Sequence, residues 1–285
     1  MVKCCPKCRA RNSPSGRFYS KYGYFTPKHN HQPVPRYRCR RCKALFSSRS
    51  FCDTFREHKP RLNPLIFKAL CSGMTFRRTA RVFHVSRNTV YAKFLKLSAK
   101  AERLHIRALR ARRRSMPVVE FDEMESYQSS RLNMLSIPLA VQPKSGFILD
   151  ARVALMRPKG RLAAKYPNAW RRWNRDTRKE ACRSVLRRVE RLRKGRVLLR
   201  CDAKPQYPAL IRAHVKEAKV ELCRRNPEFP ETKRFTGYLN HVAAKLRADL
   251  ARLRRRTWAC TRKWQNLQKH LYLYMAWNNG YRMFS

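Results

Sequence analysis

Two cysteine knuckles, Cys5-Pro6-Lys7-Cys8 and Cys39-Arg40-Arg41-Cys42, constrain this chain more than any other feature. Two residues between cysteines let both thiolates reach one tetrahedral ion while nearby backbone N–H groups support the sulfurs. Aromatic residues flank the second knuckle at Tyr37 and Phe46. Between the knuckles lie Phe18, Tyr19, Tyr22, Tyr24 and Phe25, enough for a short hairpin over a metal. Residues 1–58 therefore read as a zinc ribbon with Cys5, Cys8, Cys39 and Cys42 on a structural Zn2+. Cys4 is an adjacent spare that can replace Cys5. His29 and His31 read as loop residues, because four thiolates already close the site.

Charge narrows the partner. Lys and Arg number 68 against 17 Asp and Glu, a formal net charge of +51 on 285 residues. With 43% hydrophobic residues the chain still has the material for a core, so it is not a disordered polycation. A surface this basic repels itself unless a polyanion neutralises it, which points to nucleic acid. An anionic membrane is the rival, but the basic residues are spread over segments with folding patterns rather than gathered in one tail. No stretch approaches the ~20 apolar residues of a spanning helix, and the start lacks a signal-peptide apolar run. The expected location is the cytoplasm, on DNA. Of the 11 cysteines, Cys71, Cys182, Cys201, Cys223 and Cys260 stand singly and read as small buried hydrophobes.

From Leu62 the apolar spacing becomes helical. Leu65, Ile66 and Leu70 share a face and Gly73 ends the helix. Thr75 caps a second helix, Phe76 to Phe83, and Ser86 caps a third running to about Leu97. In the third, Val90, Phe94 and Leu97 fall on one side, leaving Arg87, Asn88, Tyr91 and Lys93 largely outward. A capped helix with Arg and Asn near its N-terminus suits reading of a major groove. Residues Phe76 to Tyr91 resemble the homeodomain-like helix-turn-helix of many resolvases and transposases, so residues 59–100 are assigned to that motif, with Arg77 and Arg78 among its DNA contacts. A basic stretch at 101–116, with Arg103, Arg107, Arg110, Arg112, Arg113 and Arg114, reads as a linker helix that tracks phosphates; an ordinary solvated helix is the alternative.

Acidic residues are scarce, so their places carry information. Asp122, Glu123 and Glu125 follow the β-branched run Val118-Val119. Ile137 to Val141 and Phe147 to Leu155 read as further strands, joined by a turn at residues 143–146. Arg178 to Leu192 reads as an amphipathic helix, and Arg196 to Asp202 as a strand ending in an aspartate. A helix at 207–218, a strand at 219–223 and long helices near 238–255 and 262–277 complete the reading. Strands first and alternating helix and strand afterwards fit a ribonuclease H-like α/β domain over 117–285. In such a sheet adjacent strands bring Asp122 and Asp202 together. Paired carboxylates repel unless a divalent cation bridges them, and hard Mg2+ or Mn2+ favours oxygen ligands. The fold expected is thus multi-domain α/β: ribbon, three-helix unit and ribonuclease H-like domain with C-terminal helices.

The run Phe121-Asp122-Glu123-Met124-Glu125-Ser126 resembles the start of the catalytic domain in short insertion-sequence transposases of the DDE class. Leu246 to Trp258 is similar to their last catalytic helix. The likeness implies binding of double-stranded DNA at terminal inverted repeats, metal-dependent cleavage and attack of the freed 3′-OH on target DNA, within a homodimer or larger synaptic assembly. It makes Asp122 and Asp202 catalytic Mg2+ ligands and gives Arg247 to DNA near the metals. One departure matters: the third carboxylate's position holds Asn240, whose amide can coordinate Mg2+ without bringing charge. Glu228 and Glu231 lie upstream as substitutes, Asp249 lies further along the helix, and plain N-capping is the other reading of Asn240. A non-catalytic DNA-binding protein is the alternative function. An RNA-binding, ribosome-associated protein also suits charge and ribbon but leaves the paired aspartates unexplained.

Overall fold

The computed structural model describes residues 4–27, 32–111, 117–168, 175–223, 237–254 and 259–284. His29, His31, Arg112, Arg113, Arg114, Glu228, Glu231 and the end of the Leu246–Trp258 run lie outside them. The chain divides into two compact units, Met1–Asn63 and Pro64–Ser285.

In the first unit three antiparallel strands, β1 (Tyr19–Phe25), β2 (Val34–Cys39) and β3 (Leu45–Ser47), pair in that order. The core is small: Cys5, Phe18, Cys39 and Phe46 are buried, with Tyr19 and Tyr37 packed against them. The Phe18 and Phe46 rings stack at 5.9 Å, which gives the sheet an apolar floor beneath the cysteines.

The second unit is built on a sheet of mixed direction. Strand β4 (Val118–Gln128) runs antiparallel to β5 (Ser130–Gln142), which runs antiparallel to β6 (Phe147–Ala151) and to the short β7 (Ala154–Leu155). On its other edge β4 is parallel to β8 (Val197–Asp202), and β8 is parallel to β9 (Ala218–Cys223), giving the order β6-β5-β4-β8-β9. Antiparallel neighbours need only tight turns. Parallel ones need crossovers, and most of these are helical. Helix α4 is Gly160–Lys165, α5 (Arg178–Leu192) precedes β8, and α6 (Gln206–His214) connects β8 to β9. The sequence expects one strand over Phe147–Leu155. It is interrupted at Arg152, whose N–H donates to the Pro138 carbonyl and whose guanidinium turns back to Asp150.

The buried face of α5 (Cys182, Val185, Leu186, Val189) covers Val119, Phe121, Leu199 and Cys201 of the central strands. Helix α7 (Gly237–Asp249) packs on β4 and β5, and α8 (Trp264–Asn278) on β6. Helix α7 stops before the expected end near 255 and gives way to a 3-10 turn at Ala251–Leu253.

Before the sheet come α1 (Leu62–Cys71), α2 (Phe76–Val82) and α3 (Arg87–Ala111). Gly73 ends α1 with φ +79°, a backbone shape that favours glycine, and its N–H donates to the Asp249 carbonyl at 2.6 Å. The third helix does not end near Leu97 and no separate linker helix begins at 101: α3 is continuous through Ala111. The reason is a stripe at helical spacing, Leu97, Ala101, His105 and Leu109, that stays buried while Arg103, Arg107 and Arg110 face outward. His105 earns its place through Nε2 against the Leu149 carbonyl and Nδ1 against the Tyr281 hydroxyl. Helix α3 packs along α8, which is buried almost all round, from Leu271 through Ala276. Among the described residues no helix is long and apolar enough to cross a membrane.

Candidate functional site

The four knuckle cysteines converge. Their sulfurs lie within 4.8 Å of one another, with Cys5 to Cys42 at 3.6 Å and Cys8 to Cys39 at 3.7 Å. A tetrahedron of thiolates around zinc, with bonds of about 2.3 Å, has edges of about 3.8 Å, so the sulfurs stand where such an ion requires them. Both knuckles share one backbone pattern. Cys5 N–H donates to the Ala10 carbonyl and accepts Arg9 N–H at its own carbonyl; Cys39 does the same with Ala44 and Lys43. Arg9 and Lys43 each take the left-handed conformation at φ 58° that this turn demands. Against the pull of the Ala10 N–H, burial and the three neighbouring sulfurs push the Cys8 thiol up to about 11. Crowded thiols keep their protons until a cation replaces them. Cys4 is outside the cluster. Of the single cysteines, Cys71, Cys182, Cys201 and Cys223 are buried and Cys260 half-buried. Burial pushes the Cys201 thiol up to about 12, which makes it an unreactive group.

The two aspartates end up side by side. Strands β4 and β8 pair in parallel through Phe121 and Cys201, so Asp122 and Asp202 are the next residues on neighbouring strands, which run about 4.8 Å apart. Asp122 Oδ1 accepts its neighbour's amide, Glu123 N–H, at 2.7 Å; Asp202 Oδ1 accepts Ala203 N–H at 3.0 Å. These bonds orient the carboxylates.

A network the sequence reading missed surrounds Asp122. Lys204 Nζ donates to Asp122 Oδ1 at 3.0 Å and to the Tyr207 hydroxyl at 2.8 Å. That hydroxyl lies 3.1 Å from Asp122 Oδ1 and 3.0 Å from Glu123 Oε1, and Glu123 accepts Ser136 Oγ through its other oxygen. Burial first, and then the charges of Asp122 and Glu123, hold the Tyr207 hydroxyl far above the ordinary value, so it stays a donor. The signal was present in Asp202-Ala203-Lys204-Pro205-Gln206-Tyr207, a lysine and a tyrosine just past a strand-end aspartate. Only the tertiary fold turns them back onto β4.

Asn240 lies exposed in the first turn of α7 and does not cap it. Glu120 performs a capping role from β4: its Oε2 accepts Leu239 N–H at 2.6 Å. This contact ties the start of α7 to β4 two residues before Asp122. Glu120 is fully buried, and among the described residues its Oε1 has no hydrogen-bond partner. Burial raises its carboxyl above the ordinary value, against the Leu239 bond and Arg200. Among the described residues, no His, Cys, Asp or Glu joins Asp122 and Asp202 as a third close metal ligand. The donor set nevertheless fits Mg2+, which commonly takes one or two carboxylates and fills its shell with water and substrate phosphate. Arg247, in the last turn of α7, is half-buried. Asp249 accepts the Tyr274 hydroxyl at 2.8 Å, which gives it a structural use.

On the helices, Arg77, Arg78, Arg87 and Asn88 are exposed. Thr75 Oγ1 accepts Arg78 N–H and Ser86 Oγ accepts Thr89 N–H, the caps expected at these positions. Two of the outward assignments are corrected. Lys93 is only 3% exposed, because it stands three residues after Val90 and four before Leu97 and so shares their buried stripe. Tyr91 is half-buried, its ring beside Phe76 and Phe94 and its hydroxyl donating to Asn266 Oδ1 at 3.4 Å. Arg77, Arg87, Asn88 and Tyr91 line a groove of about 580 Å3 whose far wall comes from Arg252 and the start of α8.

No family model matches the chain, and no curated protein matches it.

Proposed function

We propose that this protein is a DNA transposase of the DDE class, with a zinc-bearing ribbon and a helix-turn-helix for DNA and a ribonuclease H-like domain for strand cleavage and transfer. The observation that carries the reading is the pairing of Asp122 and Asp202 on adjacent parallel strands, in a molecule where acids are outnumbered fourfold by bases. The strand order β6-β5-β4-β8-β9, with three antiparallel strands followed by two parallel ones, supports the ribonuclease H-like reading. The succession α1-α2-α3, capped at Thr75 and Ser86, supports the helix-turn-helix.

Mg2+ or Mn2+ held by these carboxylates would supply Lewis-acid activation of the attacking oxygen and stabilise the leaving oxygen of a phosphodiester. The chain's own residues prepare that position. The Glu123 and Ala203 amides fix one oxygen of each aspartate. Tyr207 keeps its proton and holds Asp122 and Glu123 apart in charge. Lys204 neutralises Asp122 until DNA arrives, and its ammonium then has a phosphate to move to. Exposed Arg77, Arg78, Arg87 and Asn88 contact DNA, and two copies of the chain bring paired ends together.

The test uses supercoiled plasmid carrying the DNA that flanks the gene, incubated with the zinc-loaded full chain and Mg2+. The native protein nicks it, and Asp122→Ala lowers the rate by on the order of 10³-fold, as loss of several kcal/mol of charge stabilisation requires. Cleavage unchanged by Asp122→Ala would remove the catalytic assignment. A second reading, a DNA-binding protein without catalysis, is favoured by Lys204 seated on Asp122 and by an amide, Asn240, in place of a third carboxylate.

A further inference from the structure

The groove between the N-termini of α3 and α8 has three unmet chemical needs. The first is for an anion. Arg252 lies half-buried with its guanidinium over the Phe76 and Phe94 rings, 5.5 and 5.9 Å from their centres. Among the described residues no carboxylate faces it, and burial lowers it to about 10. Arg77, Arg87, Arg262 and Lys263 line the same groove, and among the described residues that line it none is acidic.

The second need is for a donor. His270 is 2% exposed and lines the groove. Its Nε2 faces the Leu70 carbonyl at 3.0 Å, which can only accept, so the ring proton sits there. Nδ1 is therefore an acceptor, and among the described residues it has no partner. Burial and the neighbouring Arg252 push the imidazole down to about 3, so it does not gain a second proton.

The third is for a flat apolar face. Tyr91 and Phe76 line the groove, with Asn88 and Asn266 beside them. A bare phosphate answers Arg252 and leaves His270 Nδ1 unmet. An apolar ligand leaves both unmet. A nucleotide has a phosphate for the guanidinium, N–H groups for the acceptor and a planar base for the rings. The volume of about 580 Å3 falls within the ~300–1,000 Å3 of sites for small organic groups.

We propose that this groove is a seat for one unpaired nucleotide of a DNA strand, held by its phosphate at Arg252 and by its base between His270, Asn266 and the Tyr91 ring. The proposal rests on the DNA-binding part of the function above and not on its cleavage chemistry. Stacking of a base on an aromatic ring is worth about 1–3 kcal/mol, so an unpaired nucleotide adds at least about fivefold to affinity.

Fluorescence anisotropy of the zinc-loaded full chain without Mg2+ compares a blunt labelled duplex with the same duplex carrying three unpaired 3′ nucleotides. The overhang binds at least about fivefold tighter. Arg252→Met and Asn266→Ala erase that preference while binding of the blunt duplex stays. Equal binding of the two DNAs by the native chain overturns the proposal, as does a preference that survives Arg252→Met. Where a variant does not fold, the native chain is photocrosslinked to an overhang bearing 5-iodouracil. Adducts at Phe76, Tyr91 or His270 support the seat, and adducts confined to other segments overturn it. Loss of blunt-duplex binding by the variants as well would make the groove a duplex contact and overturn the seat, whereas failure of the native chain to bind either DNA would sink the DNA-binding reading itself.

Discussion

The two units meet the same demand, a fixed backbone, by different means. Met1–Asn63 buries little more than Cys5, Phe18, Cys39 and Phe46, and leaves Tyr24 and Tyr22 about half or more exposed. Pro64–Ser285 buries a cluster that runs from Leu109 through Val119 and Leu199 to Val215. A unit that small cannot offset its chain entropy by apolar burial, and the Cys5, Cys8, Cys39 and Cys42 cluster, which could hold a metal such as zinc, would supply what the core lacks. The larger unit has apolar area to spare, and places two of its carboxylates, Asp122 and Asp202, on neighbouring strands where folding alone would not ask for them. The contrast separates residues that hold the molecule together from residues available for chemistry.

The largest effect tests the first half of that contrast. Structural zinc contributes roughly 10–16 kcal/mol to small metal-bound folds, so Cys39→Ser should release zinc and open residues 1–63 to protease, while melting of the α/β unit stays in place. A joint collapse of both units would break the distinction. Acidification acts the same way, because protons compete for the four sulfurs. Next in size is Asp202→Asn, which should lower Mg2+-dependent strand cleavage by on the order of 10³-fold with little change in melting. A large loss of stability instead would make Asp202 a structural residue. Leu149→Ala removes a fully buried side chain beside α5 and should cost about 2–5 kcal/mol in denaturant unfolding of the larger unit, with zinc content unchanged.

The smallest effect concerns Glu120. Its carboxyl is raised by burial, so the folded state favours the protonated form. No penalty applies below the unfolded value; the penalty grows as pH rises toward and through the folded value. Glu120→Gln removes that dependence. Relative to the native chain the variant should gain stability from pH 4 to pH 7, measured by chemical denaturation. Parallel curves would mean that Arg200 and the Leu239 N–H offset the burial in full.

The same contrast governs what could be read in advance. Ligand spacing is local, so Cys5, Cys8, Cys39 and Cys42 were legible to the residue, and periodicity located α5 to its ends. The rarity of acids pointed to Asp122 and Asp202; Asp202 ends β8 as a strand-end aspartate should, whereas Asp122 stands inside β4, which runs on to Gln128. What failed was tertiary. Lys93 looked like a surface cation, but position on the Val90–Leu97 stripe outweighs residue type. The Arg-rich surface of α3 concealed Ala101, His105 and Leu109, which make the expected linker part of the packed core. Lys204, Tyr207 and Glu120 act on β4 from the start of α6, or across to α7, and no one-dimensional pattern connects them. Alternation along β4 did carry one hint, since Glu120 and Asp122 stand two residues apart.

Convergence of Asp122 and Asp202 on a divalent cation is tested most directly by counting Mn2+ bound to the zinc-loaded chain by electron paramagnetic resonance. The native chain should hold Mn2+ that Asp122→Asn and Asp202→Asn each release. Equal Mn2+ binding by all three would contradict the account.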